Sequence, residues 1–255
     1  MTKTGTLSEI RLCDSSSWNQ TAFVTLDTDW AHDSVLNFAA DLLEQHAARA
    51  TWFVTHETDF LERLRSNPDF EIGIHPNFNE LLEGNVTSGK GRNVHNIIDE
   101  MMQIVPEAKC IRSHSLTHSS RMARAYLEAG LECESNSFIP YSTSRIELRP
   151  WEVCPGITSV PFGWGDYHAI NRIESGSPVE SETPLKLARS DSLRVFNVHP
   201  IHLFLNSGRL QDYESTRHLH HRPASLAKRR NVDTVGVADL ISALLVDLGC
   251  SHLTD

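Results

Sequence analysis

Between Ala22 and His75 the chain alternates short apolar runs with amphipathic stretches, and this alternation constrains its fold more than any other feature. Ala22 to Asp27 is apolar and β-branched and reads as a strand, while Asp33 to Ala48 carries Val35, Leu36, Phe38, Ala39, Leu42 and Leu43 at helical spacing. Ala50-Thr-Trp-Phe-Val-Thr55 reads as a second strand, and about Thr58 to Arg65 as a helix stopped by Asn67-Pro68. Phe70 to His75 alternates towards a third strand. Strand, helix, strand, helix, strand at this short spacing implies a parallel sheet.

The pattern continues beyond a Gly-rich polar loop, Glu83 to Arg92, which lacks the spacing of a phosphate-binding loop. Asn93 to Val105 is a helix closed by Pro106, Lys109 to Arg112 a fourth strand, and about Ser120 to Ala129 a helix ended by Gly130. Leu131 to Ile170 is less regular, broken by Pro140, Pro150, Pro155 and Pro161 into short strands, one of them Ile157 to Phe162. Ser192 to His199 is again a strand, and Thr234 to Leu248 a helix with Val237, Leu240, Ile241, Leu244 and Leu245 facing the core. Arg209 to Asn231 is polar and basic; it reads as a solvated loop, the alternative being a cationic lid for an anionic part of a substrate. No linker or repeat divides residues 1–255, so the expectation is one α/β domain.

The 33 acidic residues against 23 Lys and Arg give a formal charge of −10, which argues against nucleic acid or an anionic membrane surface as partner. Five scattered cysteines without a Cys-x-x-Cys pair read as reduced thiols. No apolar segment has signal-peptide or membrane-span length, so a cytoplasmic location is expected.

Chemistry gathers at the strand ends. Asp27 and Asp29 follow the first strand, His75 ends the third, Arg112 and His114 follow the fourth, and His199 ends the late strand. In a parallel barrel or sheet these ends share one face, so the residues converge on one pocket. Two neighbouring carboxylates require positive company, a metal or an arginine, to stay ionised together. A base, metal ligands, a cationic orienter and a second acid or base are the parts that metal-assisted hydrolysis requires. Taken singly, each residue has a plainer reading: Asp29 as a cap for the helix near Asp33, Arg112 as a surface ion pair, a strand-end histidine as packed core. Their recurrence at successive strand ends favours the pocket.

The ordered strings TLDTDW, GIHPNFN, IRSHSL, VPFGWGD and NVHPIH resemble the polysaccharide deacetylase (NodB-type) family, the carbohydrate esterase family 4-like enzymes, across about residues 22–205. The resemblance implies a distorted (β/α)7 barrel. It implies that Asp27 is the general base, Asp29 and His75 are ligands of a divalent metal, usually Zn2+, and Arg112 orients Asp27. It implies further that His199 is the general acid. The family's second metal histidine is replaced by Asn79, whose amide oxygen could still reach the metal; His114, or less readily His118, is the alternative ligand. Asp166 is the candidate carboxylate beside His199, and Trp164, Asp166 and Trp30 are candidate substrate-binding residues, Trp164 being equally readable as core.

The function so implied is hydrolysis of an N-acetyl or N-formyl group on an amino sugar, within a small, lipid-linked or nucleotide-linked precursor of a surface glycan. Two rivals remain at this level: a catalytically silent glycan-binding or scaffold protein of the same fold, and a dinuclear amidohydrolase or phosphoesterase, which would want His-x-His on the first strand.

Overall fold

The structure, a computed structural model, describes residues 3–82, 92–144 and 146–249. The Gly-rich stretch expected as a loop lies outside them except for Arg92. Ten strands are described: β1 Lys3–Thr4, β2 Thr21–Asp27, β3 Ala50–Val54, β4 Phe70–Ile74, β5 Cys110–Ile111, β6 Cys133–Glu134, β7 Trp151–Cys154, β8 Ile157–Ser159, β9 Trp164–Gly165 and β10 Arg194–Val198. The sheet order is β7-β8-β6-β5-β4-β3-β2-β10-β9, with β1 also paired to β2, and every pairing is parallel except that of the β7–β8 hairpin.

One irregular segment, residues 157–165, carries both β8 and β9 and curls the sheet round. Val160 N–H donates to Glu134 O and Phe162 N–H to Ser137 O on one side, whereas Gly163 N–H donates to Val195 O on the other. Counted as one strand beside β2, β3, β4, β5, β6 and β10, it makes the seventh position of a distorted barrel, the architecture the sequence implied.

The twofold alternation of strand side chains explains where the site can form. Ala22, Val24 and Leu26 of β2, with Trp52 of β3 and Phe196 and Val198 of β10, belong to the cluster shared with the surrounding helices. Their neighbours point inward: Phe23, Phe53, Cys110, Cys133 and Val195 form an apolar plug with Leu7, Ile10 and Trp18 below it. Further along the same inward rows come Thr25 and Asp27, Asn197, and Arg112. The barrel interior is therefore apolar at its amino end and polar at its carboxyl end.

Several expected elements are shorter than anticipated, among them the helices Asp33–Gln45, Val94–Ile104 and Val237–Asp247. Two helices in the site region, Asp166–Glu174 and Pro200–Leu205, were not anticipated. The basic stretch is not a structureless loop: it holds short helical segments at Leu210–Glu214, Arg217–Leu219 and Pro223–Ala227. Leu226 is fully buried, Arg230 donates to Leu203 O and Phe204 O while lying over the Phe38 ring, and Asn231 and Asn206 exchange amide hydrogen bonds. These few tethers outweigh a composition that by itself suggests solvation. Among the described residues no helix is long and apolar enough to cross a membrane.

Candidate active site

Arg112 is fully buried between the Phe53 and Phe162 rings, its guanidinium carbon 4.5 and 4.7 Å from their centroids. Such a cation is tolerable only if its donors are matched, and they are: Nε donates to Ser135 O, Nη2 to Ser135 Oγ, and Nη1 to Thr25 Oγ1, Asp27 Oδ1 and Asn197 Oδ1. Asn197 in turn donates from Nδ2 to Asp27 Oδ2 at 3.0 Å. Both oxygens of Asp27 are thus held, one by charge and one by an amide. The sequence reading missed Asn197, although its place two residues before His199 on an inward row was the available signal. Arg112 is not a surface ion pair.

Asp29 stands two residues beyond, on backbone that turns left-handed at Asp29 (φ 42°) and Trp30 (φ 55°). Thr28 and Thr55 pin this turn: their hydroxyls lie 3.0 Å apart, Thr55 N–H donates to Thr28 Oγ1, and Trp30 N–H donates to Thr55 Oγ1. A second left-handed pair, Ser115 (φ 57°) and Leu116 (φ 55°), follows His114. Non-glycine residues held in this region cost about 1–3 kcal/mol each and cluster where function fixes the backbone. The result is convergence: His114 Nδ1 lies 3.1 Å and His75 Nε2 3.2 Å from Asp29 Oδ1. Burial would raise the Asp29 carboxyl, but hydrogen bonds from His114 and His75 and the charge of His199 outweigh it and hold it well below the usual carboxylate range. The cap of the following helix is His32, whose Nδ1 accepts from Ser34 N–H, so Asp29 is free of that duty.

His199 faces both aspartates, with Nε2 3.6 Å from Asp29 Oδ2 and 3.9 Å from Asp27 Oδ2. Behind it the buried Asp166 accepts from His199 N–H at 2.6 Å and pairs with Nδ1 at 2.8 Å. Burial opposes protonation of His199, yet Asp166 first, then Asp29 and Asp27, push its pKa up to about 10. His202, one turn further, is driven the other way by burial, down to about 4, and is neutral.

These residues line a cavity of about 540 Å³, together with Trp30, Leu116, Phe138, Phe162, Tyr167 and, from the basic stretch, Tyr213, Arg217, His220 and His221. Trp30 is 42% exposed and meets His114 edge to face. Trp164 is elsewhere: it is buried, and its Nε1–H donates to Glu182 O, so it is a core tryptophan and not a platform for a sugar. Asn79 also lies off the cavity, its amide donating to Ser115 Oγ. His118 is exposed, with Nδ1 against Leu116 O. His114 occupies the place beside Asp29 and His75 that the sequence reading had ranked second to Asn79.

Asp29, His75 and His114 offer three donor atoms within 4.8 Å of one another. One carboxylate and two imidazoles, with an open side towards the cavity, suit a catalytic divalent metal of zinc type. One feature departs from the usual design: His75 Nδ1 is buried with no partner among the described residues, where a metal-binding ring commonly donates to an acceptor.

The model of WbmS-like polysaccharide deacetylases matches residues 24–217. The chain belongs to the polysaccharide deacetylase family. It is similar to a protein of Bordetella bronchiseptica whose 1.90 Å crystal structure is described as that of a polysaccharide deacetylase involved in O-antigen biosynthesis: identity is 32%, the match covers 96% of this chain and 98% of that one, and the TM-score is 0.85. Weaker likenesses, which carry no argument, are to a peptidoglycan N-acetylglucosamine deacetylase (14% identity, 84% of each chain, TM-score 0.41) and to the 4-alpha-glucanotransferase of Thermococcus litoralis (12%, 70% and 32% of the chains, 0.43). No curated protein matches the chain.

Proposed function

We propose that the protein is a metal-dependent carbohydrate N-deacylase, removing an acetyl or formyl group from an amino sugar during assembly of a surface glycan such as O-antigen. The observation that carries this is the meeting in one cavity of the Asp29, His75 and His114 donors, the Arg112-held Asp27, and the Asp166-held His199. A divalent ion held by Asp29, His75 and His114 would polarise the acyl carbonyl and make a water more acidic.

The chain's own groups do the rest. Asp27, its Oδ1 tied to Arg112, takes the proton from the attacking water and keeps its orientation through Asn197. His199 starts protonated and gives its Nε2 proton to the departing amine, while Asp166 stabilises the imidazolium and fixes its Nδ1. Trp30 offers an exposed face to the sugar. The substrate is a precursor carried on a lipid or nucleotide, handled in the cytoplasm; the four described cysteines, all free thiols, accord with a reducing compartment.

The test is metal content by elemental analysis, combined with amine release from a panel of N-acetyl and N-formyl amino sugars. Hydrolysis that chelation abolishes and zinc restores supports the reading; no bound metal and no hydrolysis supports a glycan-binding protein of the same fold.

A further inference from the structure

The cavity contains a histidine that this mechanism does not use. His202 sits in the helix Pro200–Leu205, three residues after His199, and is 3% exposed although it lines the cavity. Its ring is held on three sides. His199 meets it edge to face with centroids 5.8 Å apart, Tyr213 lies tilted at 5.2 Å, and Nδ1 pairs with Ser207 Oγ at 3.0 Å. That last contact is built by the helix end: Asn206 turns left-handed (φ 50°), and the following Ser207 N–H returns to His202 O. The Ser207 bond is the only hydrogen bond the ring makes among the described residues, so Nε2 has no partner among them.

Nε2 is not sealed in the core as an unpaired polar atom; it is accessible from the cavity that the ring lines. Here the fold immobilises the ring and leaves one nitrogen for whatever enters the cavity. A role as a second proton donor fits poorly, since the protonated His199 beside it disfavours a second positive charge. An anion is not the natural partner either: Arg217, the cation of the adjoining wall, is already paired with Glu214 and lies over Tyr213.

We propose that His202 is a substrate-binding residue whose Nε2 hydrogen-bonds a hydroxyl of the amino sugar, a ring position away from the reacting nitrogen, and so selects among sugars. The choice of an amino sugar as ligand rests on the reading above; the existence of a hydrogen-bonding site at Nε2 does not.

The experiment uses the full chain, made metal-free, and reads binding and not turnover. N-acetylglucosamine, N-acetylgalactosamine and their 3-, 4- and 6-deoxy counterparts are titrated by NMR against wild type, His202→Phe, which keeps the ring packing, and His202→Gln, which returns an amide near Nε2. In wild type, one parent sugar is expected to bind roughly 5- to 20-fold tighter than one of its deoxy forms. In His202→Phe that ratio falls to within twofold for the same position and no other, and His202→Gln recovers part of it. The 15N signal of His202 shifts on binding of the parent sugar only. A ratio unchanged in His202→Phe overturns the proposal, as does failure of wild type to bind either parent sugar. If the ratio behaves as expected but no N-acyl sugar is hydrolysed with zinc present, the deacylase reading falls and the site at His202 stands.

Discussion

Replacing Asp166 by Asn removes a charge and turns into an amide NH2 one of the two carboxylate oxygens that separately receive the His199 backbone N–H and pair with its Nδ1, so one of these bonds is kept and the other lost. The histidine is raised from 6.5 to about 10, on the order of 5 kcal/mol of preference for the protonated ring, with Asp166 the largest favourable contributor. Asp29 and Asp27 would keep part of this, so the variant's midpoint is expected to fall by about two pH units or more. At pH 9 the protonated fraction would drop from about 90% to about 10% or less. Because the folded value is raised, the stabilisation is present in full below pH 6.5 and lost as pH rises through about 10. Asp166→Asn should therefore fall further below wild type in stability at pH 6 than near the top of that window, where only the effect of the lost hydrogen bond remains. The assay is 15N-histidine NMR of metal-free protein from pH 5 to 11, with urea unfolding at both ends. A His199 midpoint within half a pH unit of wild type would refute the assignment of Asp166 as its charge partner.

Other outcomes follow from the same geometry. Arg112→Met leaves Asp27 buried without its cation and should cost about 3–5 kcal/mol in urea unfolding at pH 7, whereas a surface pair would cost under about 1 kcal/mol. Asn197→Leu should retain bound metal and lower kcat about tenfold or more with little change in KM, since it loosens Asp27 and the Arg112 that holds it but none of the proposed metal donors; a pure KM effect would contradict that role. Trp30→Ala should raise KM, while Trp164→Phe should leave KM unchanged and cost about 1 kcal/mol of stability through its lost bond to Glu182 O. Nδ1 of His75, without a partner among the described residues, predicts zinc held about 10–100-fold more weakly than at a site with that outer bond, measurable by competition with a chelating dye.

Much of this was legible in the sequence because strand and helix periods are local, and a parallel sheet sends all strand ends to one face. Asp27, Asp29, His75, Arg112 and His199 were found that way, and the structure brings them together. The choice between His114 and Asn79 was not legible. It depends on the left-handed backbone at Ser115 and Leu116, a tertiary detail that turns one side chain towards Asp29 and leaves the other on Ser115. Trp164 failed as a platform because its side chain leaves β9 on the helix-facing side, beside Phe196, and a tryptophan near a pocket motif looks the same on paper whichever way it faces. The basic stretch was misjudged because composition registers its charge but not Leu226 or the amide exchange with Asn206 that order it.

The central claim is that the two carboxylates after β2 divide their labour, Asp29 for the metal and Asp27 for the proton. It is tested most directly by zinc content of purified Asp29→Asn and Asp27→Asn, measured beside wild type in one elemental analysis. The account predicts near-stoichiometric zinc in wild type and Asp27→Asn and little in Asp29→Asn. Equal zinc in both variants would contradict it.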